Sequence, residues 1–238
     1  MASSIRDIGV VLRTIKLGEA DRIVTILTKE NGKIKGVAKG ARKSGSKYSA
    51  RLEVGSVVDF QWIPSKRELV RLTQTESVET HRHIRENLDL LNCAAKMLDA
   101  VDALCEDNSA HEELATLVIK ALSAMNQEKN TNVCPIFLIK ALALEGFSPY
   151  VQSCSSCSKE EGLEYFSLQQ SALYCTSCSK ESMQRVHPHV RNTINAVLEG
   201  KTSSVISNMT EEVAHDIEMI AISMVEHHSG RSMRAISV

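Results

Sequence analysis

Aromatic side chains are scarce in this sequence: Phe, Trp and Tyr make up 4% of 238 residues, with a single Trp at position 62. The core is therefore expected to be aliphatic, and an aromatic-rich platform for stacking nucleic-acid bases is excluded. No apolar run approaches the roughly 20 residues that span a bilayer. The opening MASSIRDIGVVLRTIK has neither the apolar core nor the small-residue cleavage site of a signal peptide. A cytoplasmic protein with no membrane partner is the expectation. Internal repeats and low-complexity tracts are also absent.

Catalytic constellations are missing as well. The chain has no G-x-x-x-x-G-K-[ST] loop, no G-x-S-x-G elbow and no H-E-x-x-H helix, since His111-Glu112-Glu113 lacks the second histidine. Glu19-Ala20-Asp21 offers two carboxylates, but after a glycine and before a strand it reads as a turn with a strand-initiating salt bridge rather than a magnesium site. His227-His228 ends a helix, where an imidazolium complements the carbonyl end of the dipole. A non-enzymatic protein is expected, and a zinc-dependent nuclease is the enzyme reading set against it.

Acidic residues are missing from one stretch in particular. Between Glu30 and Glu53 no Asp or Glu occurs, while Lys33, Lys35, Lys39, Arg42, Lys43, Lys47 and Arg51 supply seven cations. The net charge of −1 hides this: residues 1–80 carry 15 Lys and Arg against 9 Asp and Glu, and the remainder is acidic. Glycines and serines in GKIKGVAKGARKSGSKYS let the backbone approach a phosphate chain closely. Tyr48 is the one aromatic there for base stacking. Salt-sensitive binding to a nucleic-acid backbone follows, the alternative being a protein-interaction scaffold whose basic loop contacts an acidic protein partner.

Short apolar runs rich in β-branched residues mark strands at 5–13, 22–28, 33–39, 56–62 and 68–74. Asn31-Gly32 predicts a type I′ hairpin turn, and Pro64-Ser65-Lys66-Arg67 closes a second hairpin. Such strands suit a small Greek-key barrel of the OB type, with the basic loop leaving its third strand. From His81 the period becomes helical. Ile84, Leu88, Leu91, Ala95, Leu98, Val101 and Cys105 predict one long helix, and others follow from Glu112, from about Asn132 to Gly146, over Pro188–Leu198, and over Thr210–His228. The expected architecture is α+β: an OB-type barrel domain at 1–80, then an α-helical bundle domain at 81–238 with a four-cysteine, zinc-ribbon-like hairpin module inserted at 151–180.

That module, CSSCSKEEGLEYFSLQQSALYCTSC, contains two C-x-x-C pairs with seventeen residues between them. Two intervening residues let both sulfurs of a knuckle converge on one ion, so Cys154, Cys157, Cys175 and Cys178 predict one structural zinc ion. Four thiolates leave no open position for catalysis. A redox pair needs a βαβ setting and one C-x-x-C. His187 and His189 are placed at the surface or behind the ligands. Cys93, Cys105 and Cys134 fall within helices and read as packing.

The run GVVLRTIKLGEADRIVTILTKENGKIKGVAKGARK, above all GEAD at 18–21 and GKIKGVAKGARK at 32–43, resembles the opening of the bacterial RecO family of recombination and repair mediators. The resemblance extends through barrel, helices and cysteines. It implies a cytoplasmic, nucleoid-associated protein of DNA repair that binds single- and double-stranded DNA and anneals complementary strands. It further implies work with RecR to load RecA onto strands coated by single-strand-binding protein. Carried onto this chain, the DNA face comprises Lys33, Lys35, Lys39, Arg42, Lys43 and Lys47.

Overall fold

The computed structural model describes residues 4–46, 48, 51–65, 69–105 and 109–233. Five strands open the chain: β1 (Ile5–Leu17), β2 (Asp21–Thr28), β3 (Lys33–Ala38), β4 (Val57–Ile63) and β5 (Val70–Glu79). They close into a barrel in the order β1-β2-β3-β5-β4. All pairings are antiparallel except the β3–β5 seam, which is parallel through Gly36–Val70 and Val37–Arg71. This is the expected OB-type barrel, and closure leaves no long sheet edge to aggregate.

Strand alternation sends Val24, Ile26, Phe60, Trp62 and Leu72 into the barrel, where the Phe60 and Trp62 rings stack with centroids 5.0 Å apart. At the seam a Cβ on Gly36 would lie 2.7 Å from Leu72 Cδ2, so the close β3–β5 approach requires glycine.

β1 runs further than its apolar pattern predicts, because an irregularity between Val11 and Arg13 bends the strand and carries pairing on to Leu17. The Asn31-Gly32 turn also differs. A type I′ turn needs positive φ at both central residues, yet only Gly32 is left-handed, at φ 69°. Asn31 instead donates from its side chain to Asp7 Oδ2 at 2.8 Å and from its N–H to Thr28 Oγ1 at 2.9 Å, which opens the connection into a wider loop. β4 and β5 pair as an antiparallel hairpin; of its expected turn, Lys66 and Arg67 lie outside the described residues.

Helices α1 (Arg82–Glu86), α2 (Leu88–Leu104) and α3 (Glu112–Glu128) follow. The single helix expected from His81 to Cys105 is broken at Asn87, which is extended at φ −128°, ψ 123° and accepts the Leu90 N–H at 3.1 Å. An asparagine side chain competes with the helix for its own backbone and so starts a new one. α2 and α3 pack on β1 and β2, covering the outward Val10 and Leu27. By compactness the chain divides into Met1–Lys129 and Asn130–Val238, so the first three helices group with the barrel.

In the second unit α4 (Val133–Leu144) is apolar on all sides and packs against α5 (Val190–Leu198), α6 (Thr202–Asn208) and α7 (Glu211–Ser229). The sequence does not predict α6: TSSVISN buries only Val205 and Ile206, too few residues to show a period. Between α4 and α5 the hairpin β6 (Leu163–Ser167) and β7 (Ala172–Cys175) forms as predicted, joined by the short β8 (Gln184–Arg185). At the end of α7, His228 stacks on Phe147 with ring centroids 4.2 Å apart. Burial, with His227 beside it, holds His228 below its ordinary 6.5. The neutral ring is favoured, which corrects the dipole-capping imidazolium expected there. Among the described residues no helix is long and apolar enough to cross a membrane.

Candidate nucleic-acid interface and metal centre

The basic segment is pinned to the barrel by the turn that precedes β2. Gly18, at φ 57°, turns the chain out of β1. Asp21 Oδ1 then accepts the Gly40 N–H at 2.8 Å, Ala20 O accepts the Arg42 N–H at 2.9 Å, and Gly18 O accepts from Arg42 Nη1 at 2.9 Å. GEAD is therefore the clamp of the basic loop, and Asp21 engages a backbone donor where a salt bridge was expected. Left-handed Gly40 and Gly45, both at φ 72°, shape the loop beyond β3.

Ala41, Tyr48 and Leu52 anchor the same segment into the barrel core. Tyr48 is only 4% exposed, and its hydroxyl donates to Leu72 O and Thr73 O at 3.2 Å. It holds the loop down and is not available to stack on a base. Lys39, Arg42 and Lys43 are left exposed together, and Lys35 is half-buried on β3. Lys47 lies outside the described residues.

Lys33 has a different task from the other cations. Its Nζ donates to Cys105 O at 2.8 Å and to Asp102 O at 3.1 Å and pairs with Asp102 Oδ1 at 3.4 Å. The side chains of Lys33 and Asp102 are 7% and 10% exposed. An ammonium neutralised in this way ties the C-terminus of α2 to the barrel, which corrects its assignment to the DNA face. The strand alternation that turns Lys33 outward was legible; that a helix covers this end of the face was not.

The four cysteines converge. The sulfurs of Cys154, Cys157, Cys175 and Cys178 all lie within 4.8 Å of one another, and Cys157 and Cys175 are 3.7 Å apart. Metal–sulfur bonds of about 2.3 Å place tetrahedral sulfurs about 3.8 Å apart, whereas a disulfide needs about 2.05 Å. The donor set thus fits a tetrahedral metal ion and not a staple. Knuckle geometry is built by the chain: Ser158 N–H returns to Cys154 O at 2.9 Å, with Ser158 left-handed at φ 61°, and Cys178 N–H to Cys175 O at 3.0 Å.

Burial pushes the Cys154 thiol up, but N–H donors from Cys175, Ser156 and Cys157 together outweigh it and bring it from 9.0 to about 6. Cys178, facing Cys157 foremost, is pushed up to about 11. Four sulfurs so close cannot all ionise unless a cation shares them. His187 and His189 are not among the converging groups. They stack edge to face, and His187 N–H donates to Asp216 Oδ2 at 2.7 Å.

One residue with no sequence signal docks the module. Arg191 on α5 donates to Val151 O at 3.2 Å, Glu160 O at 2.7 Å and Gln152 O at 2.6 Å, so one guanidinium grips three carbonyls around the first knuckle.

An OB-type barrel with a clamped basic loop, followed by a helical unit carrying a four-thiolate knuckle, defines a two-part binding protein rather than an enzyme fold with a single pocket. Residues 1–81 match the family model for the recombination protein O N-terminal domain, and residues 85–235 match that for its C-terminal domain. The chain is 34% identical to the DNA repair protein RecO of Bifidobacterium longum over 218 residues, 89% of this chain and 90% of that one. It is 29% identical to the DNA repair protein RecO of Cutibacterium acnes over 239 residues, covering 97% and 96%. With the corresponding protein of Bacillus pumilus it shares 34% identity over 175 residues, 73% of this chain and 68% of the other. The chain belongs to the RecO family, a family of DNA repair and recombination.

Proposed function

We propose that this protein binds single- and double-stranded DNA through the clamped basic loop and anneals complementary strands without a catalytic group. Lys39, Arg42 and Lys43 form the centre of the DNA face, with Lys35 beside them and Lys47 the remaining member. The supporting observation is that these exposed cations stand on a loop fixed at Asp21 and Tyr48, in a stretch that has no acid from Asn31 to Leu52. Annealing requires only that repulsion between two phosphate backbones be offset and the strands held close, which cations do. The family membership supports the wider role: together with RecR, the protein assists RecA onto strands coated by single-strand-binding protein, in the cytoplasm and at the nucleoid.

Zinc is the ion we assign to the four thiolates. It suits a closed set of sulfur ligands, supplies no reaction there, and holds a hairpin too small to carry its own core.

Fluorescence anisotropy with labelled single-stranded DNA tests the central claim. The expected result is binding whose log affinity falls linearly with log salt. Charge reversal at Lys39, Arg42 and Lys43 weakens it across sequences and makes the slope shallower by about one for each phosphate left without its cation. Absence of binding by the wild-type protein at low salt overturns the proposal.

A further inference from the structure

The outer surface of the barrel has two unlike halves. Beyond the bend in β1, residues 13, 15 and 17 point outward, because their partners Thr25, Ile23 and Asp21 alternate with the inward Val24. The rows continue into β3, where Ile23 faces Val37 and Thr25 faces Lys35, and across the seam from Val37 to Arg71. One half of this face lies under α2 and α3. The other is not covered by a strand or helix of this unit, and an outward row on such a sheet is ordinarily polar. Here it is aliphatic: Ile15 is 42% exposed and Leu17 38%, with Ile23 and Val37 half-buried beside Ile15.

The rim of this strip is cationic. Arg13 stands one row to the helix side of Ile15, Arg71 ends the central row, and Lys39 continues the alternation of β3 on the far side. Successive rows are about 6.6 Å apart along the strands. Asp21 is the acid within the face, and its carboxylate already accepts the Gly40 N–H. An aliphatic strip between cations complements a polymer whose charge lies outside and whose flat apolar groups are free, as the bases of a single strand are and those of a duplex are not. Aliphatic side chains meet bases in this way where proteins wedge Leu or Ile against an unstacked step.

We propose that Ile15, Ile23 and Val37 are the seat of unstacked bases of single-stranded DNA, with Arg13, Lys39 and Arg71 holding the phosphates on either side. This rests on the DNA-binding reading above and gives it a preference: single strands can lay their bases on this face and duplexes cannot.

The test is anisotropy on the full chain with three probes: a single-stranded oligonucleotide, its duplex, and a single strand with abasic sites. Ile15→Thr and Val37→Thr keep β-branched residues at partly exposed strand positions, and their melting temperatures are measured alongside. Expected is an affinity loss of about three- to tenfold for the single strand, with the salt slope unchanged and duplex affinity held. On the abasic strand the wild type is already weakened and the substitutions change nothing further. Equal losses on all three probes, or none on the single strand, overturn the proposal; no loss would leave the face to a protein partner. Failure of the wild-type protein to bind any probe instead overturns the DNA-binding reading itself. Arg71→Gln provides the contrast, lowering both affinity and slope.

Discussion

Asp21 accepts the Gly40 N–H at 2.8 Å, and through that bond the turn before β2 fixes the loop after β3. The two segments are far apart in sequence but form one structural unit, so the acid in GEAD serves the lysines and arginine of the basic loop. Asp21→Ala removes the acceptor and leaves a part-buried amide unpaired. We expect a stability loss of about 1 kcal/mol, read from urea denaturation. DNA affinity should fall as the cations lose their fixed positions, although the substitution removes a negative charge. If affinity rises instead, the loop needs no clamp and Asp21 merely repels phosphate.

Lys33 should behave unlike its neighbours in the sequence. Lys33→Met keeps the length of the side chain but leaves Asp102 buried without its ammonium, and breaking such a pair costs about 3 kcal/mol. A lower denaturation midpoint with an unchanged salt slope of DNA binding is the expected pair of results. Lys43→Met should give the reverse, with stability within about 0.5 kcal/mol and a shallower slope.

The thiolate cluster makes a prediction about metal. Cys154→Ser removes a buried sulfur from a set that fits one tetrahedral ion, and elemental analysis should show about one ion per chain lost together with a lower melting temperature. Chelator-treated wild type should match the variant. DNA binding by the barrel should persist in both, since the cations proposed to meet DNA lie in the other compact unit. Unchanged metal content in the variant would show that the four sulfurs do not share an ion.

What could be read from the sequence follows a physical division between local and long-range causes. Strand alternation, the shift to a helical period near residue 81 and the paired C-x-x-C spacing are local signals, and each yields its element within a few residues. The break at Asn87 is local too, but there a single side-chain cap competes with an unbroken apolar period, and the period is the stronger signal. Tyr48, Lys33 and Arg191 depend on distant chain. Nothing near Tyr48 announces the Leu72 carbonyl, nothing near Lys33 announces α2, and Arg191 looks like any surface arginine until the knuckle folds against it. The basic loop was legible as charge, whereas the division of its cations between anchoring and exposure required the fold.

His228 gives a pH dependence whose sign can be fixed. Its ring lies against Phe147, and burial followed by the nearby His227 holds it below 6.5 in the folded protein. Above that value the ring is neutral in both folded and unfolded chains, so its contribution to stability is complete. As pH falls through 6.5 the unfolded chain binds a proton more readily than the folded one, and stability is lost until the folded ring is protonated as well. His228→Phe retains an aromatic partner for Phe147 and removes the titration. Urea denaturation of both proteins between pH 8 and pH 5 should show the wild type losing more stability than the variant, with the difference developing below about pH 6.5. Parallel curves would mean that His228 titrates alike in the folded and unfolded chains.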